Sequence, residues 1–336
     1  MPEQLRVGVI GAGRMGGFHV NAYRRLDCAR VLAVADPDPA ARARAVRGDA
    51  MAGYADWRAL LEREGARLDA VSVVCPSEHH AEVALAAIDA GLHVLVEKPM
   101  ATTLPDALRL RGAAREAGRK LMVGHIERFN PVVATVRMAL RQGHIGTVLR
   151  AGAIRVGPSP QRIRDAGVAI DLATHDLDLM QHLLERQVVE VYADGGRYLH
   201  ESQEDMLTCL ARFAGDEDEV LGVLDVNWLT PEPRRELSLV GDRGMLRASY
   251  TDQEVALVTG AASEPRRLTV EQREPLLAEL EAFARCVLDD RPEPVTGHDG
   301  VRALAAALAV RESASVRRPV TLLDIPAPVA RLEAVA

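Results

Sequence analysis

Asp171 and His175 stand four residues apart in the helical-looking stretch Ile170–Leu184, which puts both on one face. Histidine titrates near neutrality, so an imidazole there can take the proton of an alcohol as hydride leaves the same carbon. Asp171 could hold that imidazole or meet the reacting molecule directly. Far upstream, Glu97-Lys98-Pro99 follows the apolar run His93–Val96. A lysine just past a buried strand can donate to a hydroxyl or carbonyl oxygen and stabilise charge that develops there. Each pattern also has a plainer reading: Asp171 and His175 as polar residues on a solvated helix face, Glu97 and Lys98 as a surface pair before a turn proline. His175, His182 and Asp178 could be metal ligands, but no further ligand cluster in the sequence supports them, and no metal is expected.

A hydride needs an acceptor, and a third pattern supplies one. Gly11-Ala12-Gly13-Arg14-Met15-Gly16 follows the apolar run Arg6–Ile10 and opens a helical stretch near Arg14–Leu26. In such a turn the first glycine permits the tight bend and the second lets the backbone approach a pyrophosphate. The third lets helix pack close on strand, while the helix N-terminus offers N–H groups to phosphate. Asp36 ends the second strand, twenty residues past Gly16, where a carboxylate can accept both ribose hydroxyls and repel a 2′-phosphate. NAD is therefore expected over NADP, although Arg42 and Arg44 lie close by. The plainer alternative is an unliganded glycine turn with Asp36 as a cap.

The elements that must position these residues change character along the chain. Strand runs at Arg6–Ile10, Val31–Ala35, Ala70–Cys75, His93–Val96 and Lys120–Gly124 alternate with helical stretches at Arg14–Leu26, Pro37–Arg47, His80–Ala90 and Leu104–Ala117. This alternation implies an α/β fold that begins with a doubly wound parallel Rossmann sheet. Beyond Gly124, helices are expected at Pro131–Arg141 and Ile170–Leu184. Strands are expected at Val148–Val156, Val188–Leu199, Met206–Phe213, Val220–Trp228, Arg235–Val240 and Gly244–Tyr250, and late helices at Pro275–Leu288 and Asp299–Ala314. Consecutive strands without crossover helices imply an α+β domain with a large, mostly antiparallel open sheet. The expected division is 1–124 for the NAD-binding domain and 125–336 for a second domain. At 336 residues two domains are the default.

The net charge of −7 argues against a general nucleic-acid binder. Cys28, Cys75, Cys209 and Cys286 are widely spaced and form no C-x-x-C pair, which favours free thiols in a reducing compartment. No long apolar run suggests a membrane span, and the chain opens directly into a strand pattern, so a cytoplasmic location is expected.

Together the motifs resemble the Gfo/Idh/MocA oxidoreductases, the glucose–fructose oxidoreductase and inositol dehydrogenase family. The resemblance rests on Val9–Gly16, Ala33-Val34-Ala35-Asp36, Cys75-Pro76-Ser77-Glu78-His79-His80, Glu97-Lys98-Pro99 and Ile170-Asp171-Leu172-Ala173-Thr174-His175-Asp176, in the family's order. Trp228 and the turn Val240–Gly244 fit its C-terminal sheet. It implies catalytic roles for Lys98, Asp171 and His175, with the histidine as acid/base. It also implies cofactor contacts from Gly11, Gly13, Arg14, Met15, Gly16, Asp36, Cys75, Pro76, His80, Glu97 and Lys98, substrate-binding and oligomerisation roles for 125–336, and a homodimer or homotetramer formed through the C-terminal sheet.

The segments His125–Pro131 and Arg155–Asp165 are similar to family members that oxidise the C3 hydroxyl of UDP-N-acetylglucosamine. That similarity implies substrate contacts from Arg128, Asn130, Arg155, Arg162 and Arg164 beside Lys98, Asp171 and His175, with the arginine cluster suited to a diphosphate. The plainer reading makes these surface arginines. Two rival functions stand alongside: a dehydrogenase of an inositol or of a free or phosphorylated sugar, and a non-catalytic NAD(H)-binding regulator.

Overall fold

Strand β1 (Leu5–Ile10) runs into the glycine turn and α1 (Arg14–Tyr23) leaves it, in a computed structural model that describes residues 4–48, 51–159, 166–215, 218–260 and 264–322. The chain continues through β2 (Ala29–Ala35), α2 (Pro39–Val46), β3 (Ala52–Tyr54), α3 (Trp57–Glu64), β4 (Ala70–Val73), α4 (His80–Asp89), β5 (His93–Glu97), α5 (Leu104–Ala117) and β6 (Leu121–Gly124). These six strands form one parallel sheet in the order β3-β2-β1-β4-β5-β6. Every residue of β4 and β6 is buried, as expected for strands covered on both faces. The order reverses between β1 and β4, which opens a crevice beyond their carboxyl ends.

β3 and α3 fall in a stretch that the sequence reading left without structure. A three-residue strand is too short to show periodicity. The helix did carry a signal, because Asp56 caps it by accepting from the Arg58 amide.

The second half contains α6 (Pro131–Arg141), β7 (Val148–Pro158), a π-helical turn (Ala169–Ala173), α7 (Thr174–Leu184), β8 (Val188–Gly196), β9 (Met206–Phe213), β10 (Val220–Asn227) and β11 (Leu229–Gly241). It ends with β12 (Met245–Ser249), β13 (Glu254–Val258), β14 (Arg266–Leu268), α8 (Pro275–Leu288), α9 (Gly297–Val316) and β15 (Val320–Thr321). Its nine-stranded sheet has the order β14-β13-β12-β11-β7-β10-β9-β8-β15. Only the β7–β10 pair is parallel among these.

Burial alternates along β9, so one face packs on helices and the other does not. Leu149, Tyr192, Leu210 and Leu221 lie exposed on the strands of this sheet. Helix α9 packs on β8, α7 and α5, and α8 packs on α1, so the late helices reach back to the first half.

β11 begins six residues earlier than the expected Arg235–Val240. Pro231 and Pro233 hid its first half, and the register with β7 shifts between Leu229 and Arg234. β13 and β14 had also escaped the sequence reading, both being short.

Candidate active site

The three glycines of the first turn have three different surroundings. Gly11 has φ +98°, and a Cβ there would lie 2.6 Å from the Val74 carbonyl and the Cys75 amide. At Gly16 a Cβ would lie 1.9 Å from the Gly11 carbonyl oxygen, so only glycine lets the helix sit this close to the strand. Gly13 faces open space, with no atom within 4 Å of such a Cβ. It is the N-cap of α1 and makes no side-chain cap, which leaves the first amides of the helix free of one.

Gly16→Ala is therefore expected to destabilise the fold. Gly13→Ala should fold normally but lose dinucleotide affinity, because its methyl group projects into the space a pyrophosphate would take. Thermal melts paired with NADH titration of both variants check this contrast.

A cleft of about 750 Å³ opens from this turn. Gly11, Gly13, Arg14, Met15, Asp36, Cys75 and Pro76, all expected cofactor contacts, line it, and Trp57 and Arg58 of α3 join them. Asp36 accepts from the Ala12 amide at 2.6 Å through one oxygen and from the Asp38 amide at 2.8 Å through the other. Arg42 donates to the Asp36 and Pro37 carbonyls at 2.5 and 3.0 Å.

A second cavity, of about 680 Å³, shares Met15, Val74, Cys75 and Pro76 with the cleft. It brings Lys98, Asp171 and His175 together from separate stretches of chain. Lys98 follows β5, and its ammonium donates to the Asp171 carboxylate at 2.9 Å and to the Asp171 carbonyl at 2.8 Å. An ammonium has three donors, so one remains for another oxygen.

The π-helical turn shapes this contact. Thr174 donates its amide five residues back to Ala169, and its hydroxyl bonds the Ile170 carbonyl at 2.8 Å. Wide turns of this kind recur at functional sites because they re-aim adjacent groups. Here both the carbonyl and the side chain of Asp171 meet Lys98.

Asp171 does not hold the imidazole of His175, which was one of its expected roles. The buried Nδ1 of His175 has no hydrogen-bond partner among the described residues. Burial depresses the pKa of His175 well below the ordinary 6.5, and the charges of Lys98 and Arg155 push it the same way. The ring is thus neutral at physiological pH and able to accept a proton.

Glu97 and His80 brace the loop that carries Lys98. Glu97 receives the His19 ring nitrogen at 3.1 Å and the Lys98 amide at 3.2 Å. The His80 ring nitrogens lie 2.7 Å from the Pro99 carbonyl and 2.8 Å from that of Cys75. His80 therefore ties the start of α4 to two strand ends. Burial pushes the Cys75 thiol up to about 12, so it stays protonated.

Of the expected substrate arginines, Arg128 and Arg155 lie among the described residues. Arg162 and Arg164 lie outside the described residues. Arg128 is bonded through two nitrogens to Asp178 at 2.7 and 2.6 Å and pairs with Asp299 at 3.2 Å, away from the cavity. Asn130 is the buried N-cap of α6, accepting from the Val132 amide. Arg155 does reach the cavity wall, but it is only 3% exposed and bonded through each of its three nitrogens, to Asp176 at 2.9 and 3.0 Å and to Glu127 at 2.8 Å. A buried guanidinium needs carboxylate partners, and these come from distant segments.

Since Asp176 follows His175 directly, this triad fixes the start of α7. Arg155→Ala should cost about 3–5 kcal/mol, by leaving two buried carboxylates unpaired, measurable as a lower denaturant midpoint. Sequence reading missed Arg235, which also lines this cavity. Its signal was present, because Leu237 and Leu239 are apolar and alternate positions in a strand share a face.

Known proteins match this arrangement. Residues 5–125 fit the model described as an oxidoreductase family with an NAD-binding Rossmann fold, and residues 133–247 fit the GFO/IDH/MocA C-terminal domain. The UDP-N-acetylglucosamine 3-dehydrogenase of Acidithiobacillus ferrooxidans is 31% identical over 91% of this chain and 96% of its own length. The inositol 2-dehydrogenase of Acidothermus cellulolyticus is 32% identical over 93% of each chain. The solved structure of the Acidithiobacillus enzyme superposes with a TM-score of 0.83 at 29% identity, covering 93% of this chain and 98% of that one. With one domain model on each half and full-length relatives at this identity, the chain belongs to the Gfo/Idh/MocA family of NAD-binding oxidoreductases.

Proposed function

We propose that this protein is an NAD-dependent sugar dehydrogenase that oxidises a ring hydroxyl to a ketone, and that its substrate is a nucleotide sugar such as UDP-N-acetylglucosamine, oxidised at C3. One observation carries the reading. A lysine with a donor to spare and a neutral histidine share a cavity that opens into a dinucleotide-sized cleft.

In this scheme His175 takes the hydroxyl proton and Lys98 donates to the same oxygen as charge builds on it. Asp171 holds Lys98 and orients the sugar. Gly11, Gly13, Arg14, Met15 and the first amides of α1 would hold the cofactor's pyrophosphate, Asp36 its ribose, and Cys75, Pro76, Glu97 and Lys98 the nicotinamide end. Gly16 and His80 serve the cofactor by fixing backbone. The bound nicotinamide supplies the hydride acceptor.

Asp36 on the cleft wall supports NAD over NADP, and Arg42 spends donors on backbone carbonyls rather than waiting for a 2′-phosphate. Residues 1–124 serve the cofactor and 125–336 the substrate in this reading. The exposed Leu149, Tyr192, Leu210 and Leu221 suit the nine-stranded sheet to a homodimer or homotetramer. Four unpaired thiols accord with the cytoplasm, and no helix among the described residues is long and apolar enough to cross a membrane.

Similarity to the Acidithiobacillus enzyme, over nearly the whole chain, supports the nucleotide sugar. An inositol is the second reading, favoured by a relative of similar identity, 32% against 31%, and by the internal neutralisation of Arg155. The test is NADH formation from NAD with UDP-N-acetylglucosamine, myo-inositol and free N-acetylglucosamine. The proposal expects the nucleotide sugar to be turned over most efficiently. A higher kcat/KM with myo-inositol would replace it with the second reading, and no NADH from any sugar would favour a regulator.

A further inference from the structure

We infer that Arg235 is the residue by which this site selects a sugar bearing an anionic substituent, its guanidinium receiving a phosphate, diphosphate or carboxylate on the wall built by the second sheet. The inference rests on the reading of the cavity as a sugar dehydrogenase site, but it concerns a residue and an interaction to which that reading gives no role.

The charged groups of the cavity wall account for one another, with one exception among the cations. Lys98 is held by Asp171, and Arg155 by Asp176 and Glu127. Glu97 is held by His19 and the Lys98 amide, and Glu78 lies 3.6 Å from His79. Among the described residues, Arg235 has no side-chain hydrogen bond and no ion pair, although it lines the same cavity.

Its position in the sheet is specific. Arg235 is the register partner of Arg155 across the β11–β7 pair. Like charges directly opposite one another destabilise a strand pair. Arg155 resolves its half of the problem by claiming both nearby carboxylates, which leaves Arg235 without one. Arg235 still exerts its charge there, lowering the pKa of Glu127 and of His175.

The local backbone explains why the side chain faces inward. The register irregularity between Leu229 and Arg234 ends just before it, and such irregularities re-aim side chains beside active sites. From Arg235 onward the strand is regular. Leu237 and Leu239 on the same face are buried, so Arg235 stands where packed core gives way to cavity. Its neighbour Arg234 belongs to the opposite face and is spent on Glu236 at 3.1 and 2.8 Å.

An exposed guanidinium beside a catalytic pair offers a neutral polyol hydrogen bonds to its hydroxyls but no charge pairing. It matches a phosphate or carboxylate through two parallel N–H donors.

The test uses full-length protein saturated with NADH and measures calorimetric binding of UDP, glucose 6-phosphate and glucuronate. At least one should bind the wild-type protein. Arg235→Ala should weaken that probe by about 10- to 100-fold, the usual range for losing a charge-assisted hydrogen bond. Arg235→Lys should recover part of the loss, and the affected probe identifies the anionic group. In turnover, the preference of kcat/KM for UDP-N-acetylglucosamine over free N-acetylglucosamine should shrink by a similar factor in Arg235→Ala, mostly through KM.

Equal binding of all three probes by wild type and Arg235→Ala would overturn the inference, as would binding of none by the wild type. A loss that Arg235→Lys does not recover, together with a lower thermal midpoint, would assign Arg235 to charge balance around Glu127 and also overturn it. If anions bind through Arg235 but no sugar reduces NAD, the dehydrogenase reading fails while this inference stands.

Discussion

His175→Ala is expected to lower kcat for sugar oxidation by about 100- to 10,000-fold, the range contributed by a positioned general base, while leaving NADH affinity within a few-fold of wild type. The pH dependence makes the expectation specific. Burial and the charges of Lys98 and Arg155 hold the His175 pKa well below 6.5. Its basic form therefore predominates at and above neutral pH, and the His175 contribution to kcat/KM for oxidation should be constant there. That contribution falls only as pH drops through the depressed pKa, where the imidazole becomes protonated and can no longer accept.

Ketone reduction has the opposite sign, because it needs the protonated ring, so it should quicken as pH falls toward that pKa. In His175→Ala the oxidation rate should instead climb steadily with pH, as hydroxide takes over the proton. A purely structural role for His175 would lower the rate without changing the shape of this profile. Initial rates in both directions across a pH series, with NADH binding measured alongside, decide between the two.

Lys98→Met is expected to reduce kcat/KM by about 100- to 1,000-fold, the usual cost of removing one donor from an oxygen that gains charge in the transition state. This variant also strands the partly buried Asp171 carboxylate, which loses a direct partner at 2.9 Å. The stability cost should be about 1–3 kcal/mol. Stability and catalysis can be separated with the double variant Lys98→Met/Asp171→Asn, in which the unpaired charge is gone. Its thermal midpoint should recover most of the loss, whereas its turnover should not. Recovery of both together would mean that Lys98 acts only by holding Asp171 in place.

The parts of this site that sequence reveals are those defined by local spacing. The turn Gly11–Gly16 and the carboxylate of Asp36 are legible because strand, turn, helix and second strand follow within a short span. The buried strands β1, β4, β5 and β6 read as continuous apolar runs because helices cover both faces. Asp171 and His175 share a face at four-residue spacing, and that survives the π-helical turn which no periodicity announces.

Partner choice over long separations was not legible. Arg155 looked free in sequence because Asp176 and Glu127 lie 21 and 28 residues away, and the 50-residue separation of Arg128 from Asp178 hid its pairing equally. A buried guanidinium recruits carboxylates wherever the fold brings them, so an arginine-rich stretch cannot by itself reveal which cation is left over. Arg235 was readable from the alternation with Leu237 and Leu239 in the expected strand Arg235–Val240, but nothing in sequence told that this end of the strand borders the cavity of Lys98 and His175.

The central claim is that hydride leaves a sugar ring carbon in the cavity of Lys98, Asp171 and His175 and passes to NAD. It is tested most directly with UDP-N-acetylglucosamine carrying deuterium at C3, incubated with NAD and the full-length protein, followed by mass spectrometry of both products. We expect deuterium on the nicotinamide ring of the NADH formed, a matching ketone on the sugar, and a primary isotope effect on kcat/KM that His175→Ala does not abolish. Formation of NADH without the label, or deuterium retained in the sugar while NAD stays oxidised, would contradict this account.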